Sequence, residues 1–172
     1  MDKEGRKLVN CRHSANRALW QEQISNAYLK AVAAEACCTL AKPEPDVHKV
    51  DYYLTNERIR IPLAIQLRTS VDGRPVGDWL PLVIERALYD WLRAEDDLIR
   101  YLMLLSLPSL ADPWLSHTPE SLILRRALYW LDLRGYPATA QSTVTVRILL
   151  RNVVSSDWLL TLYTSLAGWE SV

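Results

Sequence analysis

Phenylalanine is absent from these 172 residues, and glycine, cysteine and histidine number only five, three and three. Each shortage excludes something. With so few glycines, and none grouped behind an apolar run, no phosphate-cradling loop is present, which removes dinucleotide and P-loop chemistry. No serine stands in a nucleophile-elbow setting, so triad hydrolysis is excluded as well. His13, His48 and His117 are not spaced as metal ligands. Cys11, Cys37 and Cys38 are odd in number and two are adjacent, which suits neither a disulfide framework nor a zinc site. Lysine plus arginine equals aspartate plus glutamate at 20 each. No overall field therefore draws in nucleic acid, and any such binding must use a local basic patch. The longest apolar run, 101–107, is far too short to span a bilayer. No charged and then apolar opening reads as a secretory signal. A reducing, cytoplasmic setting without membrane contact is the expectation. Seven Trp and eight Tyr stand in for the missing Phe, a bias with no evident physical cause.

What is there suits one domain. Apolar residues make up 49% of the chain, and a chain of this length buries roughly 70% of its unfolded surface, so it needs no disulfide or metal to fold. Residues 1–15 read as a polar lead-in. Their basic side chains (Lys3, Arg6, Lys7, Arg12, with Arg17 just beyond) are read as a solvated tail ahead of a phosphate-binding arm. Residues 16–172 read as a single domain. Over 16–41, Trp20, Ile24, Ala27, Tyr28, Ala31, Ala34 and Cys38 recur at three- and four-residue steps and predict a helix with that stripe inward. Cys37 and Cys38 fall in it as packing residues, and Pro43 and Pro45 stop it. Residues 71–78 predict a loop, 79–84 a short strand, and 85–96 a helix with Ala87, Leu88, Trp91 and Leu92 inward. Asp96 and Asp97 at its end read as solvated. The apolar run 98–107 predicts a strand covered on both faces. Residues 111–119 predict a loop with Trp114 and Leu115 folded back. Residues 122–133 read as a strand, although a helix also fits. Residues 142–149 alternate as a strand, and Ser155 or Ser156 caps a last helix that ends at Gly168. The order is helix, three strands, helix, three strands, helix.

The most patterned stretch is 47–68. From Ile59 the odd positions Ile59, Ile61, Leu63, Ile65 and Leu67 are all aliphatic, while Gln66 and Arg68 fall on the other side. The preceding run places Asp51, Tyr53 and Thr55 on one face and Val50, Tyr52 and Leu54 on the other. If the two runs pair as a hairpin around Asn56-Glu57, a carboxylate, an amide and a guanidinium converge. Such a group can handle a divalent cation and a phosphodiester together. The bland alternative is that Asp51 caps a turn or pairs with Arg68.

This order, with an Asp-bearing strand followed by a strand carrying a polar residue two before a cation, resembles the PD-(D/E)XK nuclease superfamily. Within it, residues from about 20 to 165 are similar to one uncharacterised bacterial family. The similarity rests on Glu22-Gln23 with Ala27-Tyr28 and Lys30-Ala31-Val32-Ala33-Ala34, on Pro43-Glu44 with Asp46 and Val50-Asp51, and on Gln66-Leu67. Further on it rests on Pro108, Trp114-Leu115-Ser116, Leu124-Arg125-Arg126-Ala127, Tyr129-Trp130-Leu131, Leu133-Arg134-Gly135, Thr143-Val144-Thr145-Val146-Arg147-Ile148 and Asn152. Most of these residues are of core type and do not bear on catalysis.

The resemblance implies an α/β fold, a restriction-endonuclease-like three-layer αβα sandwich with a central mixed sheet. It implies Mg²⁺- or Mn²⁺-dependent cleavage of phosphodiester bonds, in DNA before RNA, in prokaryotic defence or DNA processing. Carried over by position, Asp51 would ligate the metal, Gln66 would supply an amide oxygen and Leu67 a main-chain carbonyl. Arg68 would contact phosphate, and Glu22 would hold a metal-bound water. A chain this short leaves little room for target recognition, so a homodimer or a place in a larger assembly is expected. Two departures matter. Arg68 replaces the usual Lys, keeping the charge but unable to give up its proton near neutral pH. His48 stands where an acid is common, which thins the anionic oxygens a hard cation wants, although Asp46 is near. The competing expectation is a nuclease-fold module that has lost catalysis and binds nucleic acid or a partner protein.

Overall fold

The innermost strand is β5 (Ile99–Leu107), whose last eight residues are all buried. It is nearly all apolar because both of its faces are covered. The structure is a computed structural model, and it describes residues 15–44 and 49–168. β5 runs parallel to β3 (Leu63–Val71), with Leu63 opposite Ile99 and Val71 opposite Leu107. β3 pairs antiparallel with β2 (Tyr52–Asn56), β2 with β1 (Cys38–Ala41), and β5 with β8 (Leu128–Leu131). The result is a mixed five-stranded sheet in the order β1-β2-β3-β5-β8. Parallel neighbours need a long crossover. Here it contains β4 (Trp79–Glu85) and the helix α2 (Arg86–Leu92). β4 pairs with β9 (Thr143–Leu149) as a separate ribbon, and β6 (Leu115–His117) pairs with β7 (Leu122–Leu124) as a small hairpin.

Alternate residues of the central strands feed two cores. Leu63, Ile65, Met103 and Leu105 face α1 (Arg17–Glu35) and α3 (Ser156–Ala167) and join Leu29, Ala33, Leu159 and Tyr163. Leu102 and Leu104 face the other way, onto Leu80 and Ile84 of β4, Leu88 and Leu92 of α2, and Ile148 of β9. One face of the sheet thus carries α1 and α3, and the other carries the β4–β9 ribbon with α2.

Several expectations stand. β4, β5 and β9 lie where the pattern put them, with Val146 and Ile148 buried. Ser155 caps α3, its Oγ accepting from the Trp158 N–H at 3.1 Å. Trp114 is folded back into the core.

Others are corrected. The buried side chains of α1 are Ser25, Leu29 and Ala33, while Trp20, Ala27, Ala31 and Ala34 are exposed. The inward face is therefore shifted by one residue, about 100° round the helix. The helix ends at Glu35 rather than near residue 41, because Cys37 has φ 52 and turns the chain into β1. Cys37 is exposed, whereas Cys38 is buried and burial pushes its thiol above the ordinary value. α2 stops at Leu92, with Ala87 outward and Tyr89 inward. The stretch 122–133 is two strands, broken where Arg126 takes φ 67, and part of the expected loop 111–119 is β6, in which Leu115 is exposed. The strand expected from Ile59 begins only at Leu63, and Ala64 and Gln66 are buried along with the odd positions. β3 is a central strand, so alternation in residue type does not mean alternation in exposure. The lead-in, Cys11, His13, Asp46 and His48 lie outside the described residues.

Asp96 is not merely solvated. Its two carboxylate oxygens accept from Arg100 Nη1 at 2.5 Å and Nη2 at 2.7 Å, and Arg100 is buried against the Trp91 ring. The Arg100 hydrogen bonds first, and the Leu98 N–H second, hold the Asp96 carboxyl down at about 2, below its ordinary 3.8.

The buried Tyr163 hydroxyl donates to the Leu54 carbonyl at 2.7 Å and ties α3 to β2. Tyr163→Phe removes that bond, and urea unfolding is expected to show a loss of about 0.5–1.5 kcal/mol. A depressed carboxyl contributes stability above its unfolded pKa, and that contribution disappears as the pH falls through the folded value. Stability is therefore expected to drop between about pH 4 and pH 2. In Asp96→Asn, already weaker at neutral pH, acid titration followed by circular dichroism is expected to lack that component.

Candidate functional site

The main-chain ladder between β2 and β3 ends where Asp51 N–H donates to the Ile65 carbonyl at 2.8 Å. One step on, a side chain takes over. The Asp51 Oδ2 accepts from the Leu67 N–H at 2.6 Å and from the Gln66 amide Nε2 at 2.6 Å. Asp51 lies just outside the register, whose last pair is Tyr52 with Ile65, and Arg68 stands two residues beyond Gln66 on the same face of β3. β3 continues to Val71 without β2 beside it. Within one strand residue the N–H and C=O point the same way, so the Leu67 carbonyl, like its N–H, is directed at the gap that β2 leaves.

That gap is a cavity of about 420 Å³ between the first half of α1 and the end of β3. Its wall carries Glu22, Lys42, Asp51, Tyr52, Leu67 and Arg68. Tyr52 and Leu67 come from the face of the sheet that α1 covers, and Arg68 comes from the other. The structure thus brings together four of the five residues singled out in the sequence: Glu22, Asp51, Leu67 and Arg68.

Gln66 is the exception. It is 4% exposed and is not on the cavity wall. Against the Asp51 carboxylate it presents its NH₂ rather than its oxygen, so it holds Asp51 from behind instead of offering an amide oxygen to an ion. The pairing of Asp51 with Arg68 also gives way, since among the described residues the Arg68 guanidinium makes no hydrogen bond or ion pair. Part of the bland alternative does hold, because the Asp51 carboxylate serves as a main-chain cap at the strand end.

Comparison with protein-family models and with curated proteins finds no match to this chain. Two acidic and two basic side chains share the wall, so the local charge balances as the whole chain does. No group of three or more His, Cys, Asp or Glu side chains able to hold a metal occurs among the described residues. Mg²⁺ does not need one, because it keeps several waters and is commonly bound by one or two carboxylates together with substrate phosphate. Glu22, Asp51 and the Leu67 carbonyl supply hard oxygens of that kind.

Sequence reading missed two residues, Lys42 and Tyr52. Lys42 follows a segment read as helix. Tyr52 was assigned to the apolar side, and its ring does pack in the core. Its hydroxyl meets charge all the same. Burial first pushes the phenol above its ordinary value; Lys42 opposes the rise, and Glu22 and Asp51 add to it. No periodicity argument separates a ring from its tip.

Because Asp51 caps the ladder, its removal is expected to cost stability as well as function. Asp51→Ala leaves the Leu67 N–H and the Gln66 amide without their acceptor, and chemical denaturation is expected to show a loss of about 1–3 kcal/mol. Asp51→Asn retains an acceptor oxygen and is expected to lose less.

Proposed function

We propose that the chain is a metal-dependent nuclease that hydrolyses phosphodiester bonds of DNA, and that its mixed sheet with α1 on one face is a restriction-endonuclease-like three-layer scaffold. The observation that carries this reading is the open cavity that Asp51, Glu22, Leu67 and Arg68 all line. One carboxylate fixed at a strand end, a main-chain carbonyl directed at the same gap and a cation beside them form a working set for phosphoryl chemistry.

Asp51, Glu22 and the Leu67 carbonyl would hold Mg²⁺ or Mn²⁺. A divalent ion there supplies Lewis-acid polarisation of the phosphoryl group and acidifies the attacking water. The rest falls to the chain. Gln66 and the Leu67 N–H fix the Asp51 carboxylate in one orientation, so no reorganisation is needed when substrate arrives. Arg68 sets a permanent positive charge against the phosphoryl oxygens and stabilises the charge that grows on them; it does not take the water's proton. Glu22, across the cavity, orients that water. The chain acts in the cytoplasm, as a homodimer or as a subunit of a larger assembly that supplies target recognition. No helix among the described residues is long and apolar enough to cross a membrane.

A second reading has its own support. Gln66 offers a donor to Asp51 where an oxygen ligand was expected, and that thins the set around an ion. On this reading the chain is a non-catalytic module that binds nucleic acid or a partner protein.

Incubation of labelled DNA and RNA with Mg²⁺ or Mn²⁺ distinguishes the two. The nuclease reading expects DNA cleavage that chelation stops, that Asp51→Asn abolishes, and that Arg68→Ala slows by about 10²–10³-fold. A wild-type chain that cuts nothing at any concentration of either ion ends that reading and leaves the binding module.

A further inference from the structure

The Tyr52 hydroxyl is the least explained polar group at the site. Tyr52 is 8% exposed, yet its hydroxyl has no hydrogen-bond partner among the described residues. Tyr163 and Tyr89, which are more deeply buried, spend their hydroxyls on the Leu54 and Pro137 carbonyls. Among the described residues, Arg100 Nε is the one buried side-chain nitrogen or oxygen with no partner. The Tyr52 hydroxyl is therefore not sealed in the core. It reaches the cavity that Tyr52 lines.

The neighbouring cations are in the same condition. Lys42 and Arg68 line the cavity, and neither side chain has a hydrogen bond or ion pair among the described residues. The opposite charge nearest in sequence register, Asp51, is engaged from within the protein, with one oxygen already accepting two N–H donors. A cavity of about 420 Å³ falls in the range of small-molecule sites and is roomy enough for a nucleotide unit. An ammonium, a guanidinium and a phenol offer donors of three geometries. Phosphoryl oxygens are the natural match.

We propose that this cavity holds a phosphoryl group without any metal, through the Lys42 ammonium, the Arg68 guanidinium and the Tyr52 hydroxyl. The inference rests on reading the cavity as a phosphodiester site and adds that substrate binding precedes the ion and does not require it. Glu22 and Asp51 oppose the bound anion, so affinity reflects a balance between the two pairs of charges. The phosphoryl group is either an internal diester of a strand or a terminal monoester; the three donors engage both in the same way.

The experiment is calorimetric titration of the full chain in excess EDTA with three probes: inorganic phosphate, a 5′-phosphorylated dinucleotide and the same dinucleotide without the terminal phosphate. Binding is expected in EDTA. Tyr52→Phe is expected to weaken it about tenfold with an unchanged melting temperature, because the hydroxyl has no partner inside the protein. Lys42→Ala and Arg68→Ala weaken it by about tenfold or more, whereas Glu22→Gln tightens it. Binding of both dinucleotides assigns the site to a diester. Binding of only the phosphorylated probes assigns it to a monoester. Either outcome supports the proposal. Absence of binding in EDTA, or a Tyr52→Phe variant that binds like wild type, overturns it. Cutting with Mg²⁺ alongside no binding in EDTA overturns this inference and leaves the nuclease reading intact. Binding in EDTA with no cutting under any ion does the reverse.

Discussion

A single carboxylate oxygen accepting two N–H donors decides where the site lies. β2 leaves the sheet at Asp51, and β3 goes on alone. A central strand that loses its neighbour exposes main-chain donors, and a buried donor without a partner is costly. The Asp51 carboxylate meets the first of these, the Leu67 N–H, and Gln66 meets the same oxygen from the side. The gap can then stay open without unravelling the strand. The register is fixed as well, since a slip of one residue in β3 would send Gln66 and Arg68 to the opposite face and take Leu63, Ile65 and Leu67 out of the core. The position of Arg68 beside the cavity is thus a consequence of how the β2–β3 ladder is terminated.

The residues that make this ladder carried a clear signal. Val50, Tyr52 and Leu54 are buried and Asp51, Tyr53 and Thr55 less so, as period-two alternation requires. The run that became β5 was also legible, because only a strand covered on both faces is so uniformly apolar. α1 was not legible in the same way. Alanine lies on all sides of it, so the sequence offers little contrast between faces, and the choice of Ser25, Leu29 and Ala33 is made by the sheet. Ser25 is buried because its Oγ donates to the Glu22 carbonyl one turn back, a local bond that removes its demand for water. The breaks at Cys37 and Arg126 are harder still to foresee. Both residues take positive φ without being glycine, and no residue-type rule points to them.

The site was legible in part for the same reason. Pattern sorts residues by face, and Gln66 and Arg68 share a face as their spacing required. Pattern does not say which polar atom of an amide points where, or whether a residue on the correct face ends up behind the cavity wall. Gln66 shows both failures. Its register partner is Leu102, which packs in the core under β4, α2 and β9, so Gln66 is buried on that covered face and its amide turns to Asp51. Tyr52 shows the converse. Its ring obeys the apolar side of the alternation, while its hydroxyl reaches the charged group.

These placements give α1 two duties along its length. Leu29 and Ala33 anchor its second half in the core under the sheet, while Glu22 and its neighbours in the first half form one wall of the cavity. The cavity is thus built between a helix half that is not needed for core packing and a strand end that has lost its partner. Side chains there answer to electrostatics more than to close packing. Two carboxylates and two cations face one another, and they are not equivalent. Asp51 is committed to main-chain and amide donors, whereas Lys42 and Arg68 have no such commitment among the described residues. Lys42 and Arg68 are therefore left for an incoming anion to neutralise, with the Glu22 carboxylate across the cavity as the charge that opposes it.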